Sequence, residues 1–240
     1  MPRLGTLFLI PSALGPGEAT QVLPPSTLNA LARITTFIAE SPRSARAFLK
    51  SAGYPHPLQN VEFRVCNEHT RAGEIASLLQ PLLEGRDCGL VSEAGCPAVA
   101  DPGAAVVRLA HARGVRVVPL VGPSAILLAL MASGLEGQRF AFHGYLPVEA
   151  TRRRAALIEL ERDSRRERRT QIFIEAPYRN MQLLRTTFDA CRRDTLLCLA
   201  TDLTLETEAV ETRTIAEWKR HAPPALTRRP TVFLLYCEAG

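Results

Sequence analysis

The sequence lacks the cysteine spacing of a metal centre. Its six cysteines, Cys66, Cys88, Cys96, Cys191, Cys198 and Cys237, include no CxxC pair, and a tetrahedral zinc site needs closer pairing with cysteine or histidine. No metal is expected. Cys88, Cys198 and Cys237 lie inside apolar strand-like runs, and the set reads as buried thiols. His69, His111, His143 and His221 are scattered and read as structural or solvent-exposed. No uninterrupted apolar run is long enough to cross a bilayer, and no basic leader with an apolar stretch opens the chain. A cytoplasmic protein without membrane contact is therefore expected. No GxGxxG follows the first apolar run, which argues against a dinucleotide site of the NAD type. There is no internal repeat and no low-complexity tract. A formal charge of +5 permits an anionic partner without requiring one.

What is present is an alternation of strand-like and helix-like segments, the pattern of an α/β protein. At 240 residues the chain suits one large domain or two small ones. The stretch 88–131, CGLVSEAGCPAVADPGAAVVRLAHARGVRVVPLVGPSAILLALM, reads as strand, loop, helix, strand, loop, helix. A short apolar run at 88–91 stops at Ser92-Glu93-Ala94-Gly95-Cys96-Pro97. Asp101-Pro102-Gly103 opens a helix over 104–113 with an N-cap candidate and a proline at its first position. A strand over 115–120 ends at Gly122-Pro123-Ser124, before an apolar helix at 125–132. In an open parallel sheet, ligands collect at the carboxyl ends of the strands. Both loops lie at such ends, and their small residues let backbone approach a ligand closely.

The rest of the chain follows suit. A first, central strand is expected over 4–10, ending in the Pro11–Glu18 loop. Further strands are expected over 34–39, 61–66, 139–143, 170–175, 196–201 and 231–238, with an edge strand at 206–211. Helices are expected over 26–32, 44–52, 70–83, 178–190 and 215–221. The helix at 70–83 places Ile75, Leu78, Leu79 and Leu82 on one face. Gly144-Tyr145-Leu146-Pro147 reads as a loop leading into an arginine-rich helix. Residues 151–169 hold eight arginines against Glu159, Glu161, Asp163 and Glu167, so most of the positive excess is local. That run fits either RNA phosphates or a solvated helix face laced with ion pairs. The domain boundary is placed at 121/122, giving units 1–121 and 122–240.

GLVSEAGCPAVADPG, RVVPLVGPSA and GYLP, supported by AESPR, CNEH, FIEAPYR and LATDLT, resemble the tetrapyrrole-methylase superfamily of S-adenosylmethionine-dependent methyltransferases. Within it, the sequence is most similar to the family that methylates a cytidine ribose in small-subunit ribosomal RNA. The resemblance runs over nearly the whole chain. It implies two α/β domains with S-adenosylmethionine in the cleft between them, a homodimer, and an RNA substrate. Carried over by position, the cofactor is expected to meet Leu14, Ser92, Ala94, Gly95, Cys96, Pro97, Val99 and Ser124. Further along it is expected to meet Ala125, Ile174, Thr201, Asp202 and Thr231. The sequence departs from the family pattern at Glu40-Ser41-Pro42-Arg43, at Glu93 and Cys96, at Pro11–Gly15, and at Arg228-Arg229-Pro230.

Methyl transfer to oxygen requires alignment of donor and acceptor and removal of a proton from a weakly acidic hydroxyl. Glu40, Glu68 and Glu175 are the candidates for base or acceptor-orienting group, each at an expected strand end. Arg43, Asn67 and Arg179 are candidates to hold phosphate or sugar, with Tyr178 to stack on a base. Three readings stay open at this level: transfer to RNA ribose, transfer to a small molecule such as a tetrapyrrole or to a protein, and adenosylmethionine binding without catalysis.

Overall fold

The computed structural model describes residues 3–222 and 224–238. The chain divides into two compact units, Met1–Ser124 and Ala125–Gly240. Among the described residues no helix is long and apolar enough to cross a membrane.

In the first unit the order is β1 (Thr6–Ile10), α1 (Pro25–Leu31), β2 (Thr36–Ala39), α2 (Pro42–Ser51), β3 (Glu62–Val65), α3 (Ala72–Leu78), α4 (Gln80–Leu83), β4 (Cys88–Val91), α5 (Gly103–Ala112) and β5 (Arg116–Pro119). The five strands form one parallel sheet in the order β3-β2-β4-β1-β5. Alternation along each strand builds two cores. Leu7, Ile38, Cys88 and Leu90 pack with Leu78, Leu79, Leu82, Val106 and Ala110 on one face. Ile10, Phe37 and Val91 pack with Leu31, Phe48 and Leu49 on the other. The middle strand is β4, which corrects the expectation that the first strand is central; β1 lies between β4 and the edge strand β5.

The single helix expected over 70–83 is two, α3 and α4. Pro81 has no N–H to give to the carbonyl four residues back and its ring crowds that carbonyl, so the helix restarts at Gln80. Leu78, Leu79 and Leu82 are still buried, because the break redirects the backbone without losing the apolar face.

The second unit runs α6 (Ala125–Ser133), β6 (Phe140–Tyr145), α7 (Ala150–Glu167), β7 (Thr170–Ile174), α8 (Asn180–Ala190), β8 (Leu196–Thr201), β9 (Ala209–Thr214), α9 (Ile215–Trp218) and β10 (Thr231–Tyr236). Its mixed sheet has the order β6-β7-β10-β8-β9, with β10 antiparallel to both β7 and β8. Helix α6 packs on β8, β9 and β10 of this sheet. On the sheet's other core, Leu157, Leu183 and Trp218 meet Phe173, Leu197 and Phe233. Gly144 and Tyr145, expected in a loop, complete β6: the register with β7 slips between Phe142 and Tyr145, and Gly144 takes up the slip at φ +64°. The edge strand β9 starts at Ala209, because 202–208 is occupied by turns closed by Leu205 N to Asp202 O and Glu208 N to Leu205 O.

The arginine-rich helix resolves largely into internal pairing. Arg162 bonds Glu159, Arg166 bonds Asp163 and Glu167, Arg169 bonds Asp163, and Arg165 faces Asp194. Arg153 is buried, donating to Val148 O and Thr186 Oγ1. These geometries favour the ion-paired helix face over a phosphate-binding strip.

Candidate functional site

Strand order in the first unit creates the site. Leaving β1, the chain travels to β2; leaving β4, it travels to β5 on the opposite side of β1. Two adjacent parallel strands whose connections depart in opposite directions leave a crevice at their carboxyl ends, the usual ligand position in open α/β sheets.

The loops at that switch point are tied together. Ser12 and Gly95 form an isolated antiparallel bridge, Ser12 N to Gly95 O at 2.9 Å and Gly95 N to Ser12 O at 3.2 Å. The buried Ser12 hydroxyl donates to Ser92 O at 2.9 Å, and the Ser92 hydroxyl donates to Gly95 O at 3.1 Å. The Cys96 thiol donates to Pro123 O at 3.5 Å, and Thr27 Oγ1 to Val121 O at 2.7 Å. Three strand-end loops, after β1, β4 and β5, are thus one hydrogen-bonded assembly. Ser12, whose hydroxyl knits it, escaped the sequence reading, since its partners lie about eighty positions away and nothing local marks it.

Two glycines are required by this geometry. Gly95 sits at φ +71°, where an L side chain is strained, and a Cβ there would lie 3.2 Å from Leu14 Cδ2. Gly122 passes so close to Pro11 that a Cβ would fall 2.4 Å from Pro11 Cβ. Neither the proline ring nor the loop behind it yields easily. Gly122→Ala is expected to destabilise the protein by about 1–3 kcal/mol, measured as a lowered urea midpoint at unchanged m-value.

The loop after β4 continues through Ala98 and Ala100, both at positive φ. Asp101 Oδ1 holds this path by accepting from Ala98 N and Gly103 N, each at 2.8 Å. Asp101 thus holds the turn into α5, although the helix starts at Gly103 with Pro102, not Asp101, in the N-cap position and no side-chain cap bond there. Burial pushes its carboxyl above the usual range although both backbone bonds oppose the shift. Leu14 is half-buried, Gly95 and Pro97 are buried, and Ala94 and Val99 are exposed. Cys96 is half-buried, unlike the five fully buried cysteines, and burial raises its thiol as well. Ser124 closes the unit.

Of the base candidates, Glu40 stands out. It follows β2, beside the loop after β4, since Ala39 pairs with Val91. It is half-buried, and its carboxyl lies above the ordinary carboxylate range, first because of burial and then because Asp101, Glu93 and Glu68 surround it with like charge. Glu93 is engaged by the Ser44 hydroxyl at 2.9 Å. Glu68 is fully solvated beside His69. Asn67 closes its own turn, accepting from His69 N at 3.0 Å, and Arg43 is exposed on α2. Among the described residues, no group of three or more His, Cys, Asp or Glu side chains is arranged to hold a metal ion.

In the second unit the sheet brings Ile174, Thr201 and Thr231 to one end, because β10 runs against both neighbours: Val232 pairs with Ile174 and Thr231 with Thr201. The two threonine hydroxyls are 3.3 Å apart. Asp202 is held by Arg229 Nε at 2.7 Å and the Thr207 hydroxyl at 2.8 Å, and Ala125 opens α6. Glu175, the third base candidate, is buried; its Oε1 accepts from Arg179 at 2.6 Å and from Ala176 N at 2.7 Å. A carboxylate clamped in this way is poorly placed to collect a proton.

No family model matches the chain. Curated relatives do. The ribosomal RNA small subunit methyltransferase I of Xylella fastidiosa (strain Temecula1) is 37% identical over 100% of this chain and 84% of its own length. The protein of the same name from Pseudomonas aeruginosa is 34% identical over 89% of this chain and 71% of its own.

The chain belongs to the ribosomal RNA small subunit methyltransferase I family.

Among solved structures, the methyltransferase CobJ superposes with a TM-score of 0.63 at 21% identity, covering 98% of this chain and 97% of that one. The cobalt precorrin-4 methyltransferase CbiF gives 0.59 at 15% identity, with coverages of 96% and 94%. These likenesses establish the fold, that of the tetrapyrrole methylases.

Proposed function

We propose that the protein transfers a methyl group from S-adenosylmethionine to a ribose 2′-hydroxyl of small-subunit ribosomal RNA. The observation that carries this reading is its identity to a ribosomal RNA small subunit methyltransferase I along the full chain. The first unit's crevice suits the cofactor. Leu14, Pro97 and Val99 offer apolar surface for an adenine, and Ser92, Ala94, Gly95, Cys96 and Ser124 offer small side chains and approachable backbone for its polar groups. When bound, adenosylmethionine supplies an electrophilic methyl carbon on a sulfonium.

The chain's own residues have two tasks. The bridged loops fix the floor of the crevice, so alignment is set before the substrates arrive. Glu40 is placed to take the proton from the acceptor hydroxyl. Its environment fits that task, because burial and three neighbouring carboxylates make it a stronger base than an ordinary solvated glutamate. Close anionic contact to a bound sulfonium would favour its charged ground state, so carboxylates there would carry a penalty. Neutral backbone groups of the 94–97 turn are the better neighbours for the sulfur.

The test is transfer of labelled methyl into fractionated extract of a strain lacking the protein. Label is expected in small-subunit ribosomal RNA, within dinucleotides that survive alkaline hydrolysis, since a methylated 2′-oxygen cannot attack the adjacent phosphate. Label in protein or in a tetrapyrrole fraction overturns the reading.

A further inference from the structure

An RNA substrate poses an electrostatic difficulty. Glu40, Glu68, Glu93 and Asp101 gather at the first unit's strand ends, and they repel phosphate. In the arginine run 151–169, the densest positive charge in the chain, Arg162, Arg166 and Arg169 are paired with neighbouring acids. A cation beside an exposed aromatic ring suits RNA better than these ion-paired arginines.

Such a cation and ring lie at the carboxyl end of β7. Tyr178 is 69% exposed, a large fraction for so big a ring. The Arg179 guanidinium lies 4.9 Å from the ring centroid over one face and donates to the Tyr178 hydroxyl at 2.6 Å. Arg179 is in turn held by Glu175, whose side chain is wholly buried and whose Oε2 has no hydrogen-bond partner. The neighbouring loop is lashed to the same place. Arg228 N donates to Pro177 O at 3.1 Å, and buried Asn180 Nδ2 donates to Arg229 O at 2.7 Å. Arg229 is committed to Asp202, whereas Arg228 is exposed and has no carboxylate partner among the described residues. Glu175 and Arg179 cancel, so the patch carries the net positive charge of Arg228.

We propose that Tyr178, Arg179 and Arg228 form a docking platform for one nucleotide of single-stranded RNA, its base stacked on Tyr178 and its phosphate against Arg228. The proposal rests on the RNA reading above and names how that substrate is held. A guanidinium on one face of the tyrosine ring draws electron density from it and favours stacking of an electron-rich base on the other. Glu175 is the positioning residue. It fixes Arg179, which fixes the ring, so the order of the platform is established before RNA arrives.

The experiment measures binding of a fluorescent, unstructured oligoribonucleotide to the full chain by anisotropy across a salt series, with adenosylmethionine affinity as the control. Tyr178→Ala is expected to weaken RNA binding about tenfold, and Tyr178→Phe, which keeps the ring, by no more than about twofold. Arg228→Ala is expected to flatten the slope of log affinity against log salt by about 0.7. Glu175→Gln is expected to weaken binding in the wild-type background and to have no further effect in Tyr178→Ala, a coupling that simple loss of stability does not produce. The platform is overturned if Tyr178→Ala and Arg228→Ala bind RNA as the unaltered chain does. An unaltered chain that binds adenosylmethionine but no RNA overturns the function reading along with it. Equal competition by duplex RNA overturns the stacking.

Discussion

Glu40→Gln is expected to lower the rate of methyl transfer by about 10²–10⁴-fold while adenosylmethionine affinity changes by less than about twofold. The amide keeps the shape of the side chain and cannot accept the hydroxyl proton. Single-turnover kinetics beside a calorimetric titration separate the two effects. The pH profile supplies an independent check. A base must be ionised to act, so the rate rises with pH through the pKa of Glu40, which lies above the ordinary carboxylate value because of burial and the charges of Asp101, Glu93 and Glu68. Asp101→Asn removes one of those charges, and its amide oxygen can still accept from Ala98 N and Gly103 N. The rising limb is expected to move to lower pH. An unmoved limb assigns it to another group.

The same shift has a consequence for stability. With the folded-state pKa raised, the folded chain holds this proton more tightly than the unfolded chain. The stabilisation is full below the unfolded pKa and is lost as pH rises through the folded one. At neutral pH the ionised carboxylate therefore weakens the fold, and Glu40→Gln is expected to melt higher than the unaltered protein at pH 7.5. The difference closes toward pH 4. A variant that is both inactive and more stable is the signature of a site under functional strain.

Arg179→Ala is expected to lower folding stability, because among the described residues Arg179 is the cation that pairs with the buried Glu175 carboxylate. Ala176 N–H remains as a donor, yet a single backbone bond does not replace a charge-assisted contact at 2.6 Å. The double variant Glu175→Gln, Arg179→Met is expected to recover most of the loss, since it buries no unpaired charge. Urea denaturation of the two singles and the double closes the cycle. If Arg179→Ala alone is neutral, the ion pair is dispensable and Glu175 is not held by it.

The local pattern determined much of this protein. Alternating apolar runs gave β1, β4, β7, β8 and β10 close to their observed bounds, and Asp101-Pro102-Gly103 marked the entry to α5, whereas α2 starts at Pro42, two residues before the expected start. These features depend on neighbours a few residues apart, and sequence displays such neighbours directly. Even the misread break between α3 and α4 is local, since Pro81 announces it.

Tertiary structure alone decided the rest. Which strand is central and where the switch point falls follow from pairings between distant segments. The Ser12–Gly95 bridge joins two loops that no short window contains. The three candidate glutamates look alike in sequence, each after an apolar run. Only packing separates them, by surrounding Glu40 with like charge, clamping Glu175 with a cation and leaving Glu68 in water. A residue's type sets what chemistry it can perform, but its field and solvation, which set whether it does, come from groups that the fold gathers from far along the chain.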